Sequence, residues 1–388
     1  MPNDPLLSAY RARDSLFSSP TSQLHARGVL REVSTAADQG LVDAAALALR
    51  QAACDAGRLP LLGAVPFDAS EPSRLWIPMQ AAFANGGARH RGAGAGHAST
   101  APSTIHVQPY PEPARYLRNV ASSLERILDG GLSKVVMSRS VRISAQIDVP
   151  QLLQRLLART SDGYTFAMDL AGAGGPRACL VGSSPELLLS RRGTRVVSNP
   201  LAGSIARSED PIEDQRRARR LLRSAKDRHE HAVVVDAVGA ALTPFCRQLK
   251  VPAAPSLLAT PTMWHLSSRV QGELRDTSTS SLQLALALHP TPAVCGHPTA
   301  SARQLIREIE GYERGLFTGL VGWCDGDGDG EWAVTIRCAL IDDDSATVYA
   351  GAGVVEGSRP DAELAETTAK LATMLGAMGL GTALAGRA

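Results

Sequence analysis

From residue 133 onward the chain alternates short β-type runs, broken by Gly and Pro, with a few long helical stretches. That order points to an α+β architecture. Residues 133–144 (SKVVMSRSVRIS) read as a strand, with Lys134, Val136 and Ser138 on one face and Val135 and Met137 on the other. Short runs follow at 165–170, 178–183, 187–190 and 194–198. Residues 211 to about 242 have a helical pattern, with Ser208 or Asp210 as the cap and Pro211 in the first turn. A second helix is predicted over 301–316, leading into strands at 319–324, 331–340 and 346–350. The last helix runs from near Pro360 to about Met378 with an apolar stripe of Leu364, Leu371, Leu375 and Met378, and Gly379 caps it.

A chain of 388 residues can bury a large core, as one domain or as two to three smaller ones. Its 40 basic and 38 acidic side chains leave a formal charge of +2, which is no footprint for nucleic acid or an anionic membrane surface. An anionic partner must therefore be held by a local site. Cys54, Cys179, Cys246, Cys295, Cys324 and Cys338 have neither CxxC nor zinc-ligand spacing, so buried reduced thiols are expected. The start, MPNDPLLSAYRARDSLF, has no apolar core of a signal peptide, and no apolar run is long enough to cross a membrane; a cytoplasmic enzyme is expected. Residues 85–103 (NGGARHRGAGAGHASTAPS) read as a mobile loop, and the region before them holds no interpretable motif.

Several residues look chemical. Asp227 and Glu230 lie three apart within Lys226-Asp-Arg-His-Glu-His231, and Glu363 and Glu366 repeat the spacing on the last helix, with Lys370 one turn further. Like charges at that spacing repel on one helix face unless a cation intervenes. Two such faces converging would offer hard oxygen ligands to Mg²⁺; otherwise they are ordinary solvated faces. Lys134 is either an exposed or snorkelling strand lysine or a desolvated general base. Glu186 follows a Pro turn and enters an apolar strand, where it either acts as an acid of raised pKa or satisfies a backbone amide. Alternation places Arg337 with Thr335 and Ala333, opposite Trp332, Val334 and Ile336, on a face suited to a carboxylate unless it is simply exposed. Gly351-Ala352-Gly353 and Leu201-Ala-Gly203-Ser204 read as short Gly turns whose amides could take an anion. The Asp325-Gly-Asp-Gly-Asp-Gly-Glu331 run lacks the bidentate Glu of a calcium loop, and a hairpin turn is expected.

These stretches together resemble the chorismate-utilising enzymes, and among them the siderophore-type isochorismate synthases. The motifs are Lys134-Val-Val-Met-Ser-Arg139, Ser-Pro-Glu186, Pro200-Leu-Ala-Gly-Ser204, Lys226-Asp-Arg-His-Glu-His231, Met263-Trp-His-Leu266, Leu288-His-Pro-Thr-Pro-Ala293, Gly322-Trp-Cys-Asp325, Thr335-Ile-Arg-Cys338, Ala350-Gly-Ala-Gly353 and Glu366-Thr-Thr-Ala-Lys370. The resemblance is strong from about Leu132 to the C-terminus. It implies a single domain over residues 1–388, with an N-terminal subregion to 105 and a catalytic core from 106, built of twisted antiparallel sheets with helices outside. It also implies a monomer whose small-molecule substrate is chorismate, with no nucleic-acid or membrane partner.

By the same resemblance, Glu230 and Glu366 match Mg²⁺ ligands, with Asp227 and Glu363 beside them acting through water or from behind the ligands. The ion and the Gly203 amide, with Ser204 next to it, would hold the C1 carboxylate. Arg337 and Gly351, Ala352 and Gly353 match positions that hold the enolpyruvyl carboxylate; Lys370 adds charge and His265 lines the pocket. Lys134 matches the base that activates water for attack at C2, and Glu186 the acid that protonates the departing C4 hydroxyl. Such a pair needs Lys134 neutral and Glu186 protonated, the reverse of their solution states. Ammonia-using relatives have Gln where Lys134 stands, and aminodeoxychorismate enzymes have a lysine where this chain has Ala202, so water is the expected nucleophile. The small apolar Ala293 and Val294 favour stopping at isochorismate over salicylate synthase chemistry, which also expels pyruvate. A non-catalytic chorismate-binding relative would have lost the base, acid or metal ligands, and all are present.

Overall fold

The computed structural model describes residue 6 and residues 9–85, 106–160, 162–171 and 178–380. The predicted mobile loop thus lies outside the described residues, apart from Asn85, which ends a strand. Two large antiparallel sheets lie face to face, and a third, three-stranded sheet sits beside them. The larger sheet has ten strands in the order Gly296–His297, Lys134–Ser144, Ser345–Val355, Cys338–Ile341, Cys179–Ser184, Tyr164–Asp169, Ser15–Ser18, Ser22–Arg27 and Gln80–Asn85, with His106–Tyr110 also paired to Lys134–Ser144. The nine-stranded sheet contains Leu187–Arg192, Arg195–Asn199, Leu320–Cys324 and Gly330–Val334, and it ends in Leu61–Val65, Arg74–Ile77 and Arg31–Val33. Strands from before residue 86 therefore complete both sheets, which is the structural use of the region that carried no motif.

Period-two alternation lets each strand bury one row of side chains between the sheets and another under the helices. Phe17, Phe166 and Leu180 of the ten-stranded sheet meet Leu62, Val321 and Trp323 of the other in a dry layer. On the far side of the larger sheet, helices Val149–Arg159 and Pro360–Ala377 pack through Leu153, Leu156, Leu371 and Met374. Helices Gln39–Asp55, Ala225–Leu242 and Ser281–Leu288 cover the nine-stranded sheet. The α+β arrangement with antiparallel sheets inside and helices outside is the one expected.

Six local readings change. The stretch 211–242 is two helices, Pro211–Arg223 and Ala225–Leu242, because Ser224 is extended and its hydroxyl accepts the Asp227 N–H, starting a new helix. Asp210, not Ser208, caps the first. The helix placed at 301–316 is Thr299–Ile309, ending just before Gly311 at φ 84°. The strand placed at 331–340 is two strands in different sheets, Gly330–Val334 and Cys338–Ile341. Gly351-Ala352-Gly353 is no turn but the middle of the long strand Ser345–Val355, and Leu201 to Ser204 opens a strand, Leu201–Ala206, carrying a bulge with Gly203 at φ 76°. Cys54 is exposed, whereas the other five cysteines are buried, all free. The Asp325 turn is as expected, its carboxylate accepting the N–H groups of Asp327 and Asp329.

Candidate active site

Three of the places where the chain changes sheet meet. It leaves the ten-stranded sheet for the nine-stranded one at Pro185 and Glu186, returns across Thr335 to Arg337, and enters the three-stranded sheet at Pro200. Hydrogen bonds lock the crossings together: Val334 N–H donates to the Glu186 carbonyl at 3.2 Å, and Ser183 N–H to the Arg337 carbonyl at 3.0 Å. Leu201 N–H donates to the Glu186 carboxylate at 3.4 Å. Arg337 takes φ 50°, a left-handed conformation that costs an ordinary residue about 1 kcal/mol and breaks the strand alternation read from the sequence.

The crossings wall a cleft of about 60 Å³. Of the site residues named above, Glu186, Gly203, Ser204, Glu230, His265, Ala293, Val294, Arg337, Gly351, Gly353, Glu366 and Lys370 line it. Ala352 does not, because alternation turns it to the side of Val348 and Val354, which belong to apolar cores. Lys134, Asp227 and Glu363 stand one layer back. A larger groove of about 540 Å³ runs between helix Gln39–Asp55 and the Asp325 turn, but Arg58 and Asp327 pair in solvent there, Arg50 is exposed, and the Asp325 carboxylate is taken up by its own turn. The smaller cleft gathers the buried ionisable groups, and chemistry belongs there.

Lys134 opens its strand instead of sitting within it, and is 0% exposed. Its Nζ lies 2.9 Å from Glu230 Oε1, an ion pair, though off the line of a good hydrogen bond. Gly353, across the ladder, leaves room for this pair: a Cβ there would lie 2.2 Å from Glu230 Oε1. Glu186 is buried, and burial pushes its carboxyl up to about 7 against the opposing pull of the Leu201 amide, Lys134, Arg337 and Lys370. Burial likewise brings Arg337 down to about 10. His265 is held well below its ordinary value by burial and by Arg337, so its neutral ring faces the guanidinium, Nε2 to Nη2 at 3.4 Å.

The acidic pairs do converge, from helices Ala225–Leu242 and Pro360–Ala377, and each glutamate faces a lysine. Lys134 pairs with Glu230, Lys226 with Glu363 at 2.9 Å, and Lys370 with Glu366 at 2.6 Å while also donating to the Gly351 carbonyl. Burial, and next the charge of Glu366, lift Glu363 to about 7. Asp227 is raised by burial, with Glu230 adding to it. Glu366 is also pushed up by burial, but Lys370, the Ser204 hydroxyl and Lys226 outweigh this and hold it low. Among the described residues no three ligating side chains converge on one point. The donors nonetheless suit a hard divalent cation in kind: all are carboxylate oxygens, and burial, with the charge of their neighbours adding to it, raises two of them.

The sequence reading missed His231, whose Nδ1–H donates to the Ala202 carbonyl while Nε2 accepts from the Ser268 hydroxyl. A carbonyl can only accept, which fixes that tautomer, and burial lowers the ring to about 4. It thereby holds the bulge of Gly203. Tyr349, Phe317, Thr318 and Ile336 also line the cleft. Tyr349 was findable, being two residues before Gly351 on the same strand face.

Residues 83–379 match the chorismate binding enzyme family. The isochorismate synthase DhbC of Bacillus subtilis is 51% identical over 387 residues, 97% of this chain and 96% of that protein. The vibriobactin-specific isochorismate synthase of Vibrio cholerae is 44% identical over 86% of this chain and 82% of its own length. A solved structure of DhbC from Bacillus anthracis superposes with a TM-score of 0.89 at 45% identity, covering 97% and 98% of the two chains.

Proposed function

The chain belongs to the chorismate binding enzyme family, and from that premise we propose that it is an isochorismate synthase of a siderophore pathway. The observation that carries this reading furthest is a buried protonatable glutamate in a cleft that Arg337 and Lys370 also line for an anionic substrate, with a buried lysine one layer behind the wall. Chorismate carries two carboxylates. Arg337, facing a neutral His265, receives the enolpyruvyl carboxylate, and Lys370 adds charge from the adjoining helix. The Gly203 amide, presented by the bulge that His231 holds, receives the C1 carboxylate. Glu230 and Glu366, with Asp227 and Glu363 behind them, would hold Mg²⁺, which would supply positive charge for that same carboxylate.

The reaction exchanges one hydroxyl for another. Lys134, in the neutral form that has given up its proton from the Glu230 pair, takes a proton from water as its oxygen bonds to C2, the ring double bonds shift, and the C4–O bond breaks as Glu186 delivers its proton, so one water enters and one leaves. Glu186 near 7 supplies that proton at neutral pH. Ala293 and Val294 add no polar group to the wall that would assist pyruvate expulsion.

The test is a product assay on purified protein with chorismate and Mg²⁺, read by chromatography without a coupling enzyme. Isochorismate in equilibrium with chorismate is expected, with loss of turnover in EDTA and recovery when Mg²⁺ is restored. Equimolar salicylate and pyruvate would instead make it a salicylate synthase, and activity that survives EDTA would remove the ion. A second expectation concerns Gly353→Ala. Its Cβ drives Glu230 away from Lys134, and turnover should fall by about 100-fold, with some loss of thermal stability because the buried Lys134 amine loses its partner. Unchanged turnover would show that the Lys134–Glu230 geometry is irrelevant.

A further inference from the structure

Glu310 and Arg314 form an ion pair with side chains 0% and 1% exposed, and neither lines the cleft. Arg314 Nε donates to Glu310 Oε2 at 2.6 Å and Nη2 to Oε1 at 2.8 Å. The rest of the guanidinium holds backbone. Nη2 donates to the Val136 carbonyl at 2.7 Å, and Nη1 to the Val294 carbonyl at 2.8 Å and the Thr318 hydroxyl at 3.3 Å. Val136, Val294 and Thr318 all line the cleft, and Val136 is two residues from Lys134. Glu310 Oε1 in turn accepts both the N–H and the hydroxyl of Ser138, the ladder partner of Gly351. One buried pair thus ties together the strand of Lys134, the Ala293–Val294 wall and the Thr318 corner.

A buried pair is weak evidence for stability, because desolvation offsets the attraction and an apolar pair often serves as well. What the planar guanidinium supplies that an apolar side chain cannot is several donors in fixed directions. On the wall side, strand pairing covers Gly296–His297 against Lys134 and Val135, and the last backbone bond across is Val136 N–H to the Cys295 carbonyl at 2.9 Å. Beyond it Arg314 spans the gap to Val294 by taking both carbonyls. We propose that Arg314, braced by Glu310, is a positioning residue that fixes the distance between the Lys134 strand and the Ala293–Val294 wall. This rests on the isochorismate synthase reading given above.

The experiment compares Arg314→Lys, which keeps the charge pair but reaches fewer acceptors, with the double variant Glu310→Met/Arg314→Met, which leaves no lone buried charge. Wild type run in parallel tests the functional reading by itself: no isochorismate from wild type sinks that reading, and the positioning role with it. Given an active wild type, both variants should unfold cooperatively and lose about 10- to 100-fold in kcat with KM within about threefold. Glu310→Gln, which keeps the acceptor for Arg314 and Ser138, should recover most of kcat. A kcat within threefold of wild type in either folded variant overturns the inference, as does a rise in KM at constant kcat. Failure of both variants to fold overturns it too, since the pair would then serve the fold and not the reaction.

Discussion

Replacing Lys134 by Ala should lower kcat for isochorismate formation by about 10³-fold, in the middle of the range that a positioned general base supplies. The side chain is fully buried with its amine against Glu230, and strand alternation turns it with Val136 toward the cleft, away from the core that takes Val135 and Met137. Two explanations of such a loss compete. In one the amine moves a proton; in the other it only holds Glu230 in place. Lys134→Gln separates them, because an amide can still donate to the Glu230 carboxylate but cannot accept the proton of water. If proton transfer is the role, the Gln variant is as inactive as the Ala variant. If the role is to hold Glu230, Gln restores turnover to within about tenfold of wild type, and the base must be sought elsewhere. Retention of wild-type turnover by Lys134→Ala would sink both.

Why the lysine was visible in the sequence while its surroundings were not has a physical reason. Alternation is a local property, so residues 134 to 138 could be assigned to faces from sequence alone, and the structure keeps that assignment. The acidic pairs were legible for the same reason, since a helix fixes its own faces. Arg337 was misplaced because its φ is set by the chain crossing between sheets, held by Thr318 N–H on the Thr335 carbonyl and Thr335 N–H on the Gly319 carbonyl. These partners are 16 and 17 residues away, and no local pattern announces them. Gly351 and Gly353 misled in the opposite sense. Glycine usually marks a turn, but here both lie on a strand pinned by eleven register pairs, where Gly353 clears space for Glu230. The lysines facing each glutamate were present as residues, yet which lysine meets which carboxylate depends on how two helices and a strand come together. The pairing of Lys226 with Glu363 was therefore beyond the sequence.

Glu186→Gln should lower turnover by about 10²- to 10⁴-fold and stabilise the protein, with the second effect depending on pH. Burial holds the folded-state carboxyl at about 7, above its ordinary 4.5. Between those values the folded chain binds the proton that the unfolded chain has released. Stability from this group is therefore complete below pH 4.5 and is lost as pH rises through 7, by up to about 3 kcal/mol. The amide is neutral at every pH and can still accept the Leu201 N–H, so it escapes that loss. The melting temperature of the variant should match wild type near pH 5 and exceed it near pH 8. Glu363 titrates in the same window, but it is common to both proteins and cancels in the difference. Catalysis runs the other way. Wild-type kcat/KM should fall as pH rises past about 7, where the acid has lost its proton, whereas the residual activity of the variant, lower by about 10²- to 10⁴-fold, should lack that limb. A stability gap that does not change between pH 5 and 8 would mean that the carboxyl is not raised. A gap that grows, with the wild-type basic limb still present in the variant, would mean that the raised carboxyl is real but that another group delivers the proton. Only both changes together tie the instability of Glu186 in the folded chain to its use as the acid.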